Sequence, residues 1–308
     1  GSYNKEIITG LLRERYKFDG IICTDWKTIT DIKLPFGIIF KPASAFGVEN
    51  LTIKERIVKK FSAGIDMFGG ETLSIELSEL IKDGKISEDR IDQSLRRILK
   101  QKFNLGLFDN PYIDEENLKV FSNPQNIEKG IQAQKKSLVL LKNEEKFLPI
   151  KNKKKIHYYG FENNFIKKIN QESIENSELI IMKLKSPKGR FKAKYVMEKL
   201  FGGGPLDFSS KELSELIPLI KSKPTIVIIN LERPAIIKEI SKAAKAVIAD
   251  FNSDNEIIMD LIRGKFKPTG KLPIELPSSM EAVKNQIEDI PYDSKEPLFK
   301  FGHGLSYD

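Results

Sequence analysis

Five short strand-like runs constrain this chain most: SLVLLK (137–142), KIHYYG (155–160), ELIIMKLK (178–185), TIVIIN (225–230) and AVIADF (246–251). Most are apolar at consecutive positions, the pattern of strands covered on both faces. Segments of helical spacing separate them, at 210–222, 233–244 and 254–263, the first opened by Ser209 and Glu212 as a capping box. Alternating strand and helix predicts an open, mostly parallel sheet with helices on both faces, spanning 135–275.

The first 110 residues carry a shorter version of the same alternation. KEIITGLLRERY (5–16) has helical spacing. Ile21, Ile22 and Cys23 then read as a strand covered on both faces, which stops at Asp25 beside the only tryptophan, Trp26. Residues 33–50 read as a long loop. Thr52 and Glu55 form a capping box for a helix to about Ser62. AGIDMFGG (63–70) reads as a short buried strand, and Ile91, Leu95, Ile98, Leu99 and Phe103 share one helical face before Gly106. Two strands cannot close a barrel, which takes eight units and about 250 residues. Residues 1–112 are therefore expected to be the last quarter of one. Residues 113–134 read as a polar, proline-interrupted linker, and 276–308 as an irregular tail packed on both domains.

Composition removes several function classes. With 308 residues, 40% hydrophobic and 31% charged, the chain is expected to be soluble, globular and large enough for two domains. One cysteine excludes a disulfide framework or Cys-based zinc site, and two histidines, His157 and His303, leave little for a His-rich metal centre. No run of about 18 apolar residues predicts a membrane span. Gly1 opens no signal-peptide pattern, so cytoplasm and export both remain open. The net charge of +8 raises nucleic acid, but the densest basic run, KNKKKIHYYG (151–160), lacks arginine and an aromatic stacking platform. It reads as a solvated lysine turn. GGG (202–204) is no phosphate loop, because Pro205 follows and no Lys-Ser/Thr does.

FDGIICTDW (18–26) resembles the nucleophile strand of glycoside hydrolase family 3. The likeness continues in order through AGIDMF (63–68), RIDQSLRRILKQKFNLGLFDNPY (90–112), KKSLVLLKNEEKFLPI (135–150), GKFKPTGKLPIELPSS (264–279) and PLFKFGHGLSYD (297–308). CTDW, FGGE (68–71), PLDFS (205–209) and SSMEAVKNQIEDIPYDS resemble one bacterial subgroup. The implied fold is α/β: the last strands and helices of a (β/α)8 barrel, then an α/β sandwich domain. Asp25 would end barrel strand seven and 63–68 would form strand eight, with six strands missing. The fibronectin-like third domain of many relatives is expected to be absent, since the chain stops just after GHGLSYD.

The resemblance also implies site roles. Asp25 corresponds to the nucleophile that forms a glycosyl-enzyme ester; taken alone, it reads equally as a turn cap or a lysine partner. Trp26 would wall the sugar site, or simply pack. The family's usual acid/base motif, a Ser-rich Glu-Gly segment ending Asp-Arg, is absent from KSPKGRFKAKYVMEKLFGGGPLDF. Its first carboxylate, Glu198, is either the acid/base or a surface residue of a helix-like YVMEKLF. Glu49 and Glu71 are expected near the substrate face, as sugar contacts or as turn and salt-bridge residues. Asp66 is read as a buried structural carboxylate and His303 as a tail lock. The implied activity is that of a retaining β-glucosidase acting on a β-glucoside or oligosaccharide, without metal or organic cofactor. It would be complete only with the missing strands, from a complementary chain or a homo-oligomer. The alternatives are a noncatalytic carbohydrate-binding or assembly subunit, or a β-xylosidase or N-acetylglucosaminidase of the same family. Neither nucleic acid nor membrane is an expected partner.

Overall fold

The computed structural model describes every residue except 196, 199–202 and 308. The chain is an α/β fold with mixed sheets, divided into two units. Gly1–Glu115 with Ala193–Phe201 form the first, and Glu116–Lys192 with Gly202–Asp308 the second.

In the first unit, β1 (Cys23–Trp26) runs parallel to β4 (Met67–Gly69), pairing Cys23 with Met67 and Trp26 with Gly69 across an irregular register. Residues 33–50 are more ordered than the expected loop. β2 (Ile32–Lys33) and β3 (Ile39–Lys41) form a small antiparallel pair around the turn Pro35–Gly37. The first helix, Glu6–Arg15, is wound as a π-helix, with Tyr16 N–H donating to the Leu11 carbonyl at 3.0 Å. The helix Ile53–Ala63 opens on the expected Thr52–Glu55 capping box and stops at Gly64, whose φ of 104° suits a residue without Cβ. Ile29, Ile57, Phe61, Leu73, Leu80 and Ile86 form the larger of the unit's two apolar clusters.

Two expectations fail here for one reason. β1 is not covered on both faces: Ile22 and Thr24 are buried, while Cys23, Asp25 and Trp26 are exposed. Among the described residues β1 has β4 as its only strand neighbour, and on the covered side of the run Ile22 packs with Ile8 and Ile65. Likewise, on the helix Glu88–Asn104 only Ser94 is buried, and Leu95, Leu99 and Phe103 of the expected core face are exposed.

Asp66 is the buried, paired carboxylate that the sequence suggests. Its Oδ2 accepts from Arg13 Nη2 at 2.5 Å and Ile22 N at 3.0 Å. Its Oδ1 accepts from Ser94 Oγ at 2.7 Å and Arg97 Nη1 at 2.9 Å. One carboxylate thereby ties two helices to the base of β1.

The second unit holds five strands: β5 (Val139–Asn143), β6 (Ile156–Tyr159), β7 (Leu179–Lys185), β8 (Thr225–Asn230) and β9 (Ala246–Asp250). Their order is β5-β9-β8-β7-β6, and only the β5–β9 pair is antiparallel. Alternate side chains serve two cores. Val227, Ile229, Ile180 and Met182 face the helix Ser210–Ser222, whereas Ile226, Ile228 and Ile181 face the helix Asn255–Ile262. That double burial explains the consecutive apolar positions. The Ser209–Glu212 capping box is present as read. The helix expected over 233–244 shrinks to Lys238–Ala243, because Ile236 instead bridges Asp207 in extended form. Much of the expected linker is a helix, Pro124–Ser137, started by the Asn123 side chain. The tail is not irregular throughout. Leu305 bridges Leu140 on the edge strand, Leu276 bridges Phe299, and Met280–Lys284 is helical. His303 Nε2 hydrogen-bonds the Leu141 carbonyl at 2.8 Å and locks the tail as expected.

Candidate active site

The site is built where β1 ends. Thr24, buried, orients its hydroxyl between two strands: Oγ1 donates to the Asp25 carbonyl at 2.9 Å and accepts from Gly69 N–H at 2.9 Å. Gly69 is required at that spot, since a Cβ would stand 2.6 Å from the Thr24 oxygen. Gly70, with φ of 63°, lies so close under the Trp26 indole that a Cβ would meet it at 2.4 Å. The pair is thus pinned close together where Asp25 emerges. Asp25 Oδ1 accepts from Trp26 N–H at 2.6 Å, and Oδ2 has no protein partner among the described residues. The carboxylate is exposed, held at its base and open at its tip.

The loop after Trp26 is fastened by residues far along the chain. Glu71 Oε1 accepts from Ile29 N–H at 2.8 Å and Thr30 N–H at 3.2 Å. Its Oε2 accepts from Thr30 Oγ1 at 2.6 Å and faces Lys27 Nζ at 3.5 Å. Both oxygens are therefore taken up within the loop. Lys41 Nζ reaches back to the Trp26 carbonyl at 3.0 Å, and Asp31 Oδ1 accepts from Ala43 N–H at 2.8 Å. Arg56 donates to the carbonyls of Ile29 at 2.8 Å and Glu49 at 2.7 Å. None of Arg56, Lys41 or Asp31 stands out in sequence, because their partners lie 7–27 residues away and no local pattern marks them.

Below the loop, Lys60 is fully buried. Its ammonium donates to Ser2 Oγ at 2.5 Å and lies 3.7 Å above the Tyr3 ring. Burial pushes this lysine down to about 8, against the pull of the Glu71 charge. The Tyr3 phenol, which donates to the Thr28 carbonyl at 2.5 Å, is pushed up to about 12 by burial.

The structure brings Asp25, Trp26 and Glu71 together at the ends of β1 and β4. Glu49 is exposed, and hydrogen bonds from its own backbone N–H and that of Gly47 hold its carboxyl below the usual range. Glu198 lies in a helical turn with Met197, its Oε2 accepting from Lys194 N–H at 2.7 Å and Tyr195 N–H at 3.4 Å. The rest of the helix-like YVMEKLF falls largely outside the described residues. The stretch containing Glu198 groups with the first unit, the one that carries Asp25. Among the described residues no group of three or more His, Cys, Asp or Glu could hold a metal ion. No helix among them is long and apolar enough to cross a membrane.

Comparison with known proteins agrees with the geometry. The glycosyl hydrolase family 3 N terminal domain matches residues 1–101, and the family's C-terminal domain matches residues 209–307. A probable beta-glucosidase C of Aspergillus oryzae is 44% identical over 320 residues, covering 99% of this chain and 48% of that protein. A periplasmic beta-glucosidase/beta-xylosidase of Dickeya chrysanthemi is 34% identical over 318 residues, covering 99% and 48%. The chain thus spans about half the length of the curated relatives it matches. In fold it is similar to the beta-glucosidase of Listeria innocua in complex with glucose, with a TM-score of 0.77 at 20% identity over 99% of this chain and 49% of that one. Two matched domains in order and a relative similar along the whole chain leave one conclusion: this chain belongs to glycoside hydrolase family 3.

Proposed function

We propose that this chain is part of a retaining β-glucosidase that removes terminal non-reducing β-D-glucosyl residues from glucosides or oligosaccharides. The observation that carries the reading is Asp25: a carboxylate exposed at the C-terminal end of a parallel strand, oriented by Trp26 N–H, with one oxygen free. In this reading residues 1–112 are the end of a (β/α)8 barrel, whose catalytic groups sit at the C-terminal ends of strands. Residues 135–275 are the sandwich domain, joined by 113–134 and followed by the tail 276–308.

Asp25 attacks the anomeric carbon as the glycosidic bond breaks, forming an ester with the sugar, and the leaving oxygen takes a proton from a second carboxyl group. Water, deprotonated by that same carboxylate, then attacks the anomeric carbon and releases Asp25. The second carboxyl must lie about 5–5.5 Å from the first. Glu198 is our assignment, supported by the grouping of its segment with the unit of Asp25. Trp26 offers an aromatic face to the apolar side of the pyranose. Glu71 shapes the loop beside Asp25, its carboxylate engaged by Ile29, Thr30 and Lys27, and the exposed Glu49 is assigned as a sugar contact. A β-xylosidase activity is a second reading, favoured by the similarity to the periplasmic beta-glucosidase/beta-xylosidase of Dickeya chrysanthemi.

The test is covalent trapping in the chain extended to the length of its relatives. A 2-deoxy-2-fluoroglucoside with an activated leaving group should stop turnover, release that group and add the mass of the 2-fluoroglucosyl residue to the peptide containing Asp25. A label on another carboxylate would remove Asp25 as nucleophile, and no label with full folding would favour a noncatalytic carbohydrate-binding role. Faster labelling by the matching xyloside would reassign the sugar.

A further inference from the structure

The lysine run 151–155 is exposed, as a solvated turn would be, and plays no part in the chemistry above. It borders a cleft of about 490 Å³ lying wholly within the second unit. Small-molecule sites occupy roughly 300–1,000 Å³. The floor is apolar, made by Ile156, Ile181, Met259 and Tyr158, the last only 6% exposed. The rim is cationic, with Lys151, Lys153 and Arg263.

Charge makes this cleft unusual. Among the described residues the one carboxylate bound to the run, Glu178, is already engaged: Oε1 accepts from Lys154 Nζ at 2.8 Å and Oε2 from Lys155 N–H at 2.9 Å. Lys151, Lys153 and Arg263 have no carboxylate partner among the described residues. Arg263 is exposed and lines the same opening as Tyr158. Three unpaired cations around one opening repel one another and create a positive potential focused by the low-dielectric walls. An anion relieves that repulsion, and an apolar body attached to it covers the floor.

We propose that this cleft binds a small amphipathic anion: an aromatic ring carrying a phosphate or carboxylate, with the ring on Tyr158 and Met259 and the anion between Lys151, Lys153 and Arg263. The cleft lies in the second unit and Asp25 in the first, and the proposal requires no part of the glycosidase reading. Each partner of the anion is an exposed side chain, so the charges can be changed without disturbing the core.

Equilibrium dialysis of the 308-residue chain against 1-naphthyl phosphate tests the proposal. Saturable binding of one equivalent is expected, weakened by added salt because the cations are exposed. The triple variant Lys151→Glu, Lys153→Glu, Arg263→Glu should bind at least about tenfold more weakly, a change of about 1.4 kcal/mol. Inorganic phosphate alone and uncharged 1-naphthol should each compete poorly, since each fills half of the site. Equal binding by the wild type and the folded triple variant would overturn the proposal. Competition by phosphate as strong as by naphthyl phosphate would also overturn it, reducing the cleft to a simple anion surface. Co-sedimentation with phosphatidylglycerol vesicles, lost in the triple variant, would assign the cations to a membrane and likewise overturn it.

Discussion

Asp25 and Glu198 differ in how firmly their surroundings define them. Asp25 is fixed by Thr24, Gly69 and its own neighbour's N–H, whereas Glu198 is held by backbone N–H groups of its own turn. A general acid matters most when the leaving group is poor. In the extended enzyme, Glu198→Ala should therefore cost about 10²–10⁴-fold on cellobiose, little on dinitrophenyl glucoside, and azide should speed turnover of the latter. Uniform loss on both substrates would make Glu198 a positioning residue. Lys60 supports a second prediction, on stability. Its folded-state value of about 8 lies below the ordinary 10.5, so the unfolded chain binds the extra proton between those values. Stability from this site must then rise as pH rises from about 8 to 10.5. Lys60→Met, followed by urea denaturation, should show its largest advantage over wild type near pH 7, shrinking toward pH 10.5. A pH-independent difference would mean that the ammonium is better solvated than its burial implies.

At the scale of elements, the first unit hangs on Asp66. The helices Glu6–Arg15 and Glu88–Asn104 share no sequence continuity with β1, yet Arg13, Ser94 and Arg97 all converge on this one carboxylate. Asp66→Asn keeps the shape and removes the charge, leaving guanidinium groups inside without a counter-ion. Breaking one side of a buried pair costs about 3–5 kcal/mol. Urea unfolding followed by circular dichroism should show a loss on that scale; a loss below about 1 kcal/mol would mean that water screens the cluster as at a surface. The sheet of the second unit shows a different logic. Side chains of β8 are buried in turn on one face or the other, and the buried Asp250 ties strand ends by accepting from Asn230 Nδ2 at 3.3 Å and Ser253 N–H at 2.8 Å.

At the scale of the molecule, the two units differ in how well they cover their apolar surface. The second buries two cores around one sheet. The first exposes Leu95, Leu99 and Phe103 on one helix, with Trp26 and Met67 on its strands. Exposed apolar side chains of this kind recruit a partner or a dye. The 308-residue chain should bind the uncharged dye Nile red or self-associate by light scattering. Extension to the length of its relatives should suppress both. A monodisperse chain with no dye signal would show that the helix face is covered in solution.

Local patterns were legible without a structure. Both capping boxes, the five strands of the sheet and His303 as the tail lock follow from residue type and spacing, which act over a few positions, and the family resemblance adds Asp66 as a buried paired carboxylate. Asp25 stood out because a hydrophobic run ends on it. The rest needed the fold. The covering of β1, the loop clasps of Glu71, Arg56 and Lys41, the antiparallel edge strand and the exposed face of the helix Glu88–Asn104 all depend on which distant segments meet. Apolar periodicity tells which side chains avoid water, and only tertiary packing decides which of them find cover.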